Sequence, residues 1–335
     1  MRRAAVDPEA LGGLPRGGRE AVSAEHPPHA RAVVARGLTK RYADRTAVRR
    51  IDLGIGLGEV YGLLGRNGAG KSTTMRMIGC VSKPSAGDLS VLGLDALVHG
   101  PEIRARLGVV PQQDTLDSEL TVRENVVMFA RYFGIPRRVA RQRADQMLEF
   151  MNLADRPDAR TGDLSGGMRR RLSIARALVN EPSMILLDEP TSGLDPQSRH
   201  LLWERLYQLK RDGVTMLLTT HYMDEAEQLC DRIGIIDDGR IVIEGVPADL
   251  VRRFAAREVV ELRFDPSRPV PPAALAELGG RVRRRADKIL VFTDDADEAV
   301  RSILGMSLGS ASMLVRRSNL EDVFLALTTD DAAGP

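Results

Sequence analysis

The stretch EVYGLL, residues 59 to 64, runs without a break into GRNGAGKST, residues 65 to 73. That junction limits the fold more tightly than anything else in the 335-residue chain. The second segment satisfies G-x-x-x-x-G-K-[ST], a spacing that lets a loop between a buried strand and a helix close around phosphate oxygens. Gly65, Gly68 and Gly70 free the backbone to turn its N–H groups inward, and the helix that follows adds its positive end. Lys71 is positioned to bridge two phosphates and Ser72 to place its hydroxyl on Mg²⁺, while Arg66, Asn67, Ala69 and Thr73 complete the loop. A glycine-rich turn with a chance lysine would not need the strand before it and the helix after it. The segment therefore predicts an α/β domain that binds a nucleoside triphosphate.

Further motifs extend the chemistry. MILLDEP ends an apolar run with two acids side by side: Asp188 suits the Mg²⁺ shell, and Glu189 suits the polarisation of an attacking water. The runs SMILLD (183 to 188) and VTMLLTTH (214 to 221) lack alternation, as strands covered on both faces of a parallel sheet do. If the two lie side by side, His221 reaches the carboxyl end of the sheet, where ligands bind, and can orient water with Glu189. Gln112, in VVPQQD, is placed to reach Mg²⁺ and the same water. AVVARGL and AVRRIDLGIGL alternate as antiparallel strands, and IGIIDDGRIVIEG predicts a hairpin about Asp238-Gly239. A helical stretch from 121 to 153 opens on a capping box of Thr121 and Glu124 and is interrupted by Gly134 and Pro136.

LSGGM poses a separate question. Ser165 is a good N-cap, and Gly166 and Gly167 leave helix N–H groups uncovered, which attracts anions. The chain already has one phosphate cradle, so a second makes sense if it closes over the γ-phosphate of an ATP on another copy. Arg169, Arg170 and Arg171 follow. With a net charge of only +2 and no basic field over the chain, they are expected to form a solvated helix face rather than a nucleic-acid surface.

Taken in order, GRNGAGKST, PQQD, LSGGM, MILLDEP, SGLD and TTH closely resemble the ATP-binding cassette (ABC) ATPases, over residues 32 to about 250. The resemblance implies an α/β P-loop NTPase cassette with a mixed-sheet core, an antiparallel β subdomain and a helical subdomain. It also implies ATP with Mg²⁺ held by Ser72, Gln112 and Asp188, and hydrolysis by Glu189, His221 and Gln112. In the head-to-tail dimer it implies, Ser165, Gly166 and Gly167 act on the partner's ATP, Asp195 of SGLD crosses the interface, and adenine stacks on Tyr42. Arg66 stands where many relatives have proline, and is expected on the loop exterior.

LGVVPQQDTLDSELTVREN, LLTTHYMDEAEQLCDRIGIIDDGRIVIEG and LEDVFLALT resemble ATPases of the drug-export (daunorubicin-type) and nodulation-factor-export group. That implies a separate membrane permease, export of drugs or other amphipathic small molecules, and a place on the cytoplasmic face of the membrane. The helical insert near 113 to 160 would pass motion to the permease. Every catalytic motif is intact, which favours a homodimer with two live sites. Two rivals stand beside this reading. One is a soluble ABC ATPase acting on nucleic acid or ribosomes, against which the lack of a long coiled-coil insertion speaks. The other is a protein that sequesters a drug without transport, which intact Glu189 and His221 disfavour.

The ends of the chain add less. Residues 1 to 30, rich in Pro, Gly, Arg and Glu, predict a disordered tail, and no apolar segment follows Arg2 and Arg3 to make an export signal. No apolar run approaches the ~20 residues of a membrane-spanning helix. Cys80 and Cys230 match no metal spacing and suit a reducing cytoplasm. With 31 to 257 as the ATP-binding domain, residues 258 to 330 form a separate α+β unit. There VVELRF, PAALAELG, RVRRR, KILVFT, DEAVRSIL and SMLVRR follow the βαββαβ order of a ferredoxin-like domain, and NLEDVFLAL adds a last helix.

Overall fold

The computed structural model describes residues 31–264, 281–285, 288–306 and 310–328. The expected tail (1 to 30) and the helix expected at PAALAELG lie outside the described residues. The described residues divide into two compact units, one running to His221 and including Ile236–Val242, the other made of Tyr222–Ile235 and the chain from Ile243 onward.

The first unit opens with two long strands, β1 (Arg31–Tyr42) and β2 (Arg45–Gly56), which pair antiparallel. The tight reversal between them carries Ala43 at φ 39°. β3 (Val60–Leu64) leaves that sheet for the central one, and α1 (Lys71–Ile78) follows the phosphate loop. β4 (Ala86–Val91) and β5 (Leu94–Asp95) then complete the antiparallel sheet in the order β2-β1-β4-β5. These two strands carry little sequence signal, because AGDLSV begins with three exposed residues and β5 has only two.

A short helix, α2 (Gly100–Ala105), leads into β6 (Leu107–Val110). The insert that follows is a helix pair, α3 (Val122–Tyr132) and α4 (Arg137–Phe150), packed together and against α5 (Gly166–Leu178). Its capping box forms as expected: Thr121 accepts from Glu124 N at 3.2 Å, and Glu124 accepts from Thr121 N at 2.9 Å. Gly134, at φ 73°, makes the break between the two helices.

β7 (Met184–Asp188), α6 (Pro196–Arg211) and β8 (Thr215–Thr220) complete the core. β6 pairs with β7, β7 with β8 and β8 with β3, all parallel. Every residue of β3 and β8 is buried, which is why neither run alternates. β6 is short and holds Gly108, where a Cβ would come within 2.4 Å of the Ala177 carbonyl; this lets α5 lie close on the sheet.

α7 (Met223–Leu229) begins the second unit, and then β9 (Arg232–Asp237) and β10 (Arg240–Gly245) extend the central sheet to the order β10-β9-β3-β8-β7-β6. Asp238 and Gly239, at φ 41° and 75°, give the two-residue turn the sequence predicts.

In the second unit, α8 (Pro247–Phe254) precedes a four-stranded sheet of β11 (Glu258–Phe264), β12 (Arg281–Arg284), β13 (Lys288–Thr293) and β14 (Ser310–Arg317). Its order is β12-β13-β11-β14 with antiparallel pairs, the arrangement a βαββαβ chain makes. α9 (Ala296–Gly305) covers one face through Ala296 and Ile303 over Val260, Leu262, Ile289 and Val291. α10 (Leu320–Thr328) packs on α7 and α8, and its Leu320 N donates to Glu227 at 2.5 Å. That return explains why α7 and α8 group with the C-terminal sheet, whereas the sequence begins the second unit only at Glu258.

The arginine triplet differs from expectation. Arg170 is 9 % exposed, Arg169 donates to the Leu164 carbonyl at 2.8 Å, and Arg171 donates to the Met151 carbonyl at 2.7 Å. Arg170 is thus an internal staple rather than part of a solvated face, while Arg169 and Arg171 stay partly exposed beside it. Thr121→Ala is expected to cost the insert about 1 kcal/mol, read as faster amide exchange at Glu124 and along α3, with Thr121→Ser close to wild type. Unchanged exchange at Glu124 would show that the cap contributes nothing.

Candidate nucleotide site

β3 delivers the chain to Gly65, and the loop then coils back over the start of α1. Gly68 and Gly70 take φ of 84° and 115°, and a Cβ on Gly70 would lie 2.7 Å from the Ala47 carbonyl. No side chain caps α1, so its first N–H groups remain for a ligand, as a phosphate cradle requires. Lys71 is 5 % exposed and donates to the carbonyls of Gly65 at 2.7 Å and Arg66 at 3.2 Å. Burial lowers its pKa, and the carboxylates of Glu189 and Asp188 push the other way. Arg66, Asn67 and Gly68 are exposed along the outer rim of the loop. Arg45 donates to Gly68 O at 2.9 Å and pairs across the β1–β2 turn with Tyr42. Tyr42, 44 % exposed with Lys40 5.0 Å from its ring centroid, thus stands at the loop's edge with a face available for stacking.

Parallel pairing puts the ends of β7 and β8 beside this loop. Asp188 accepts from Ser72 at 3.2 Å and from the Thr219 hydroxyl. A hydroxyl and a carboxylate converging in this way are hard oxygen donors, the set that suits Mg²⁺ completed by phosphate and water oxygens. Glu189 is 8 % exposed; one of its oxygens lies 3.1 Å from Gln112 Nε2 and 3.3 Å from His221 Nδ1. Its backbone is left-handed at φ 47°, a conformation costly for a side-chain-bearing residue. Thr219 receives its N–H at both the carbonyl (3.0 Å) and the hydroxyl (3.2 Å). The structure therefore brings Lys71, Ser72, Gln112, Asp188, Glu189 and His221 into one cluster. The donors and acid of that cluster fit phosphate binding and activation of a water.

Ser165 is the N-cap of α5, and Gly166 and Gly167 form its first turn. Ser165 caps the helix by accepting from Met168 N at 3.3 Å. A Cβ on Gly166 would meet nothing within 4 Å, whereas one on Gly167 would lie 2.4 Å from Ser198 Oγ. Asp195 caps α6, accepting from Ser198 N at 2.9 Å and Ser198 Oγ at 2.6 Å. Those bonds hold the Asp195 carboxyl below its usual pKa. Ser198 thus locks the starts of α5 and α6 together, with Ser165 and Gly166 on the outside.

Three participants go unnoticed in the sequence. Thr219 could have been found by sliding β8 against β7, since it pairs with Asp188. Ser198 carries no signal of its own. Arg170 shares the spacing of Gly167, Ile174 and Ala177, all buried, so helical periodicity marks it as an inward residue.

Comparison with known proteins agrees with this geometry. The ABC transporter family matches residues 48–192, and the C-terminal domain of the nodulation factor export protein NodI matches residues 270–329. A Nod factor export ATP-binding protein I from Ralstonia nicotianae is 44% identical over 296 residues, covering 87% of this chain and 92% of the relative. One from Burkholderia orbicola is also 44% identical, over 88% of this chain and 95% of that protein. Among solved structures, a dimeric ATP-binding cassette in a post-hydrolysis state bound to ADP and Pi has a TM-score of 0.60 at 30% identity, over 64% of this chain and 98% of that one. cbiO1 from Clostridium perfringens, part of an ABC transporter complex, has a TM-score of 0.62 at 30% identity, over 67% of this chain and 92% of that one. The chain belongs to the ATP-binding proteins of the ABC transporter family, which hydrolyse ATP to drive transport.

Proposed function

We propose that this chain is the ATPase subunit of an exporter that moves an amphipathic small molecule through a separate membrane permease. Residues 31 to 257 serve as its ATP-binding domain and 258 to 330 as a ferredoxin-like accessory domain. The observation that carries the ATPase chemistry is the single Glu189 oxygen facing both Gln112 Nε2 and His221 Nδ1 beside the buried Lys71. Support for export comes from relatives named for Nod factor export; a drug as cargo rests on the motif resemblance alone. No helix among the described residues is long and apolar enough to cross a membrane, in keeping with a peripheral subunit on the cytoplasmic face.

In this reading Lys71 leaves the carbonyls of Gly65 and Arg66 to meet the β- and γ-phosphates, and the loop N–H groups close around their oxygens. Tyr42 stacks on adenine. Ser72 and Asp188, with Gln112, would hold Mg²⁺, which would neutralise charge on the phosphate oxygens. Glu189 accepts hydrogen bonding from the attacking water, and His221 orients both water and carboxylate. Two copies meet head to tail, so that Ser165, Gly166 and Gly167 of one close over the γ-phosphate held by the other, with Asp195 between them.

Lys71→Ala is expected to abolish ATP binding, since its point charge meets the phosphates. Glu189→Gln is expected to keep ATP binding while hydrolysis falls by roughly 10²–10⁴-fold, leaving an ATP-bound dimer visible by size-exclusion chromatography. Wild-type turnover in Glu189→Gln would remove Glu189 from its role. A mixture tests the sharing of sites. Lys71→Ala and Ser165→Arg proteins, each inactive alone, form one complete site when combined. Nucleotide occlusion should return after subunit exchange, and its failure to do so would mean that Ser165 serves its own chain.

A further inference from the structure

Arg170 lies little more than one helical turn beyond Ser165 on α5. Its guanidinium points inward and donates to five backbone carbonyls: Nε to Pro190 at 2.8 Å, Nη1 to Pro111 at 2.5 Å and Gln112 at 3.4 Å, and Nη2 to Asp188 at 2.6 Å and Glu189 at 3.1 Å. An arginine has five N–H groups in a rigid plane, and here each acceptor matches one of them. The acceptors belong to two separate segments, the loop that carries Gln112 and the strand end that carries Asp188 and Glu189. One side chain therefore sets the distance between the amide and the carboxylate, which stand 3.1 Å apart.

The same contacts bear on Glu189 itself. Arg170 takes its carbonyl and Thr219 takes its N–H. Held at both ends, the residue keeps its left-handed backbone even though Pro190 after it favours an extended one. At the start of α5, Gly167 packs closely against Ser198 of α6. A displacement of Ser165 or Asp195 is thus carried by a stiff helix to the Arg170 fork, and from there to Gln112 and Glu189.

We propose that Arg170 is a positioning residue, through which the Ser165 helix of a chain sets the placement of Gln112 and Glu189 in that chain's own ATP site. In this role Arg170 acts through the five carbonyls it donates to. The inference rests on the dimeric ATPase reading, in which Ser165 faces the partner's ATP. Occupancy of one site then bears on the geometry of the other.

Two heterodimers of full-length chains, purified through different tags, separate the roles. In the first, a Lys71→Ala chain is paired with an Arg170→Met chain. Its one loadable site takes Lys71 and Glu189 from the Arg170→Met chain and Ser165 from the other. In the second, Lys71→Ala and Arg170→Met share one chain opposite an unaltered one, so the loadable site keeps its own Arg170 and receives only Ser165 from the altered chain. The first should still occlude ATP but hydrolyse it in a single turnover on the order of 10²-fold more slowly, as misplaced groups do. The second should stay within about threefold of a heterodimer carrying Lys71→Ala alone. Equal slowing in both, or no slowing in the first, overturns the proposal.

Arg170→Lys keeps the charge and the stem but loses the fork. It should fold, bind ATP within about threefold of wild type and hydrolyse at least about tenfold more slowly. A wild-type rate, or a loss of ATP affinity as large as the loss of rate, also overturns the proposal. Should Ser165 instead serve its own chain, the Lys71→Ala and Ser165→Arg mixture shows no occlusion, while the Arg170→Lys split between binding and rate still stands. The two failures are thereby told apart.

Discussion

Asp188 accepts hydrogen bonds from Ser72 on the first turn of α1 and from Thr219 on β8. Three elements far apart in sequence meet at that one carboxylate, and the arrangement of the site depends on it. A carboxylate can accept several hydrogen bonds at once, and Asp188 is half-buried at the end of its strand. β7 and β8 are therefore locked in register at the level where their ends diverge. Glu189, the next residue, leaves the strand in a left-handed turn while its N–H still finds Thr219. Burial lowers the pKa of Lys71, and the charges of Glu189 and Asp188 oppose that shift.

The antiparallel sheet and the helical insert do other work. β1 and β2 bring Tyr42 and Arg45 to the rim of the phosphate loop, and Arg45 holds Gly68 from outside. The insert packs α3 and α4 on α5, so the Ser165 helix is braced by the insert and by the central sheet. Parallel strands cannot supply such a brace themselves, because their connections return on the faces of the sheet.

Much of this was legible in the sequence, and the reasons differ by element. The phosphate loop, β7, β8 and the capping box could be read because their signals are local: fixed spacing, an unbroken apolar run, or a side chain bonding three residues away. β4, β5 and β6 escaped notice since edge strands and a four-residue strand bury too little to leave a pattern. The triple arginine misled for a different cause. Charge in a row suggests solvent, yet the loop and strand end that receive Arg170 come from parts of the chain that no local pattern connects. The Asp238-Gly239 turn was plain in the sequence, whereas the grouping of α7 and α8 with the C-terminal sheet depends on α10 returning from the far end of the chain.

Gly166 and Gly167 look interchangeable on paper and are not. Gly167 is small because Ser198 occupies the place of its Cβ; Gly166 has open space where a methyl group would go. Alanine is the better helix former, and at Gly166 it would meet no described atom within 4 Å. The molecule thus forgoes stability at a point where its own interior asks for none of the room. A scan of small residues across these two neighbours would accordingly separate two origins of intolerance: damage at 167 would arise inside the subunit, and damage at 166 from whatever body comes to rest against it.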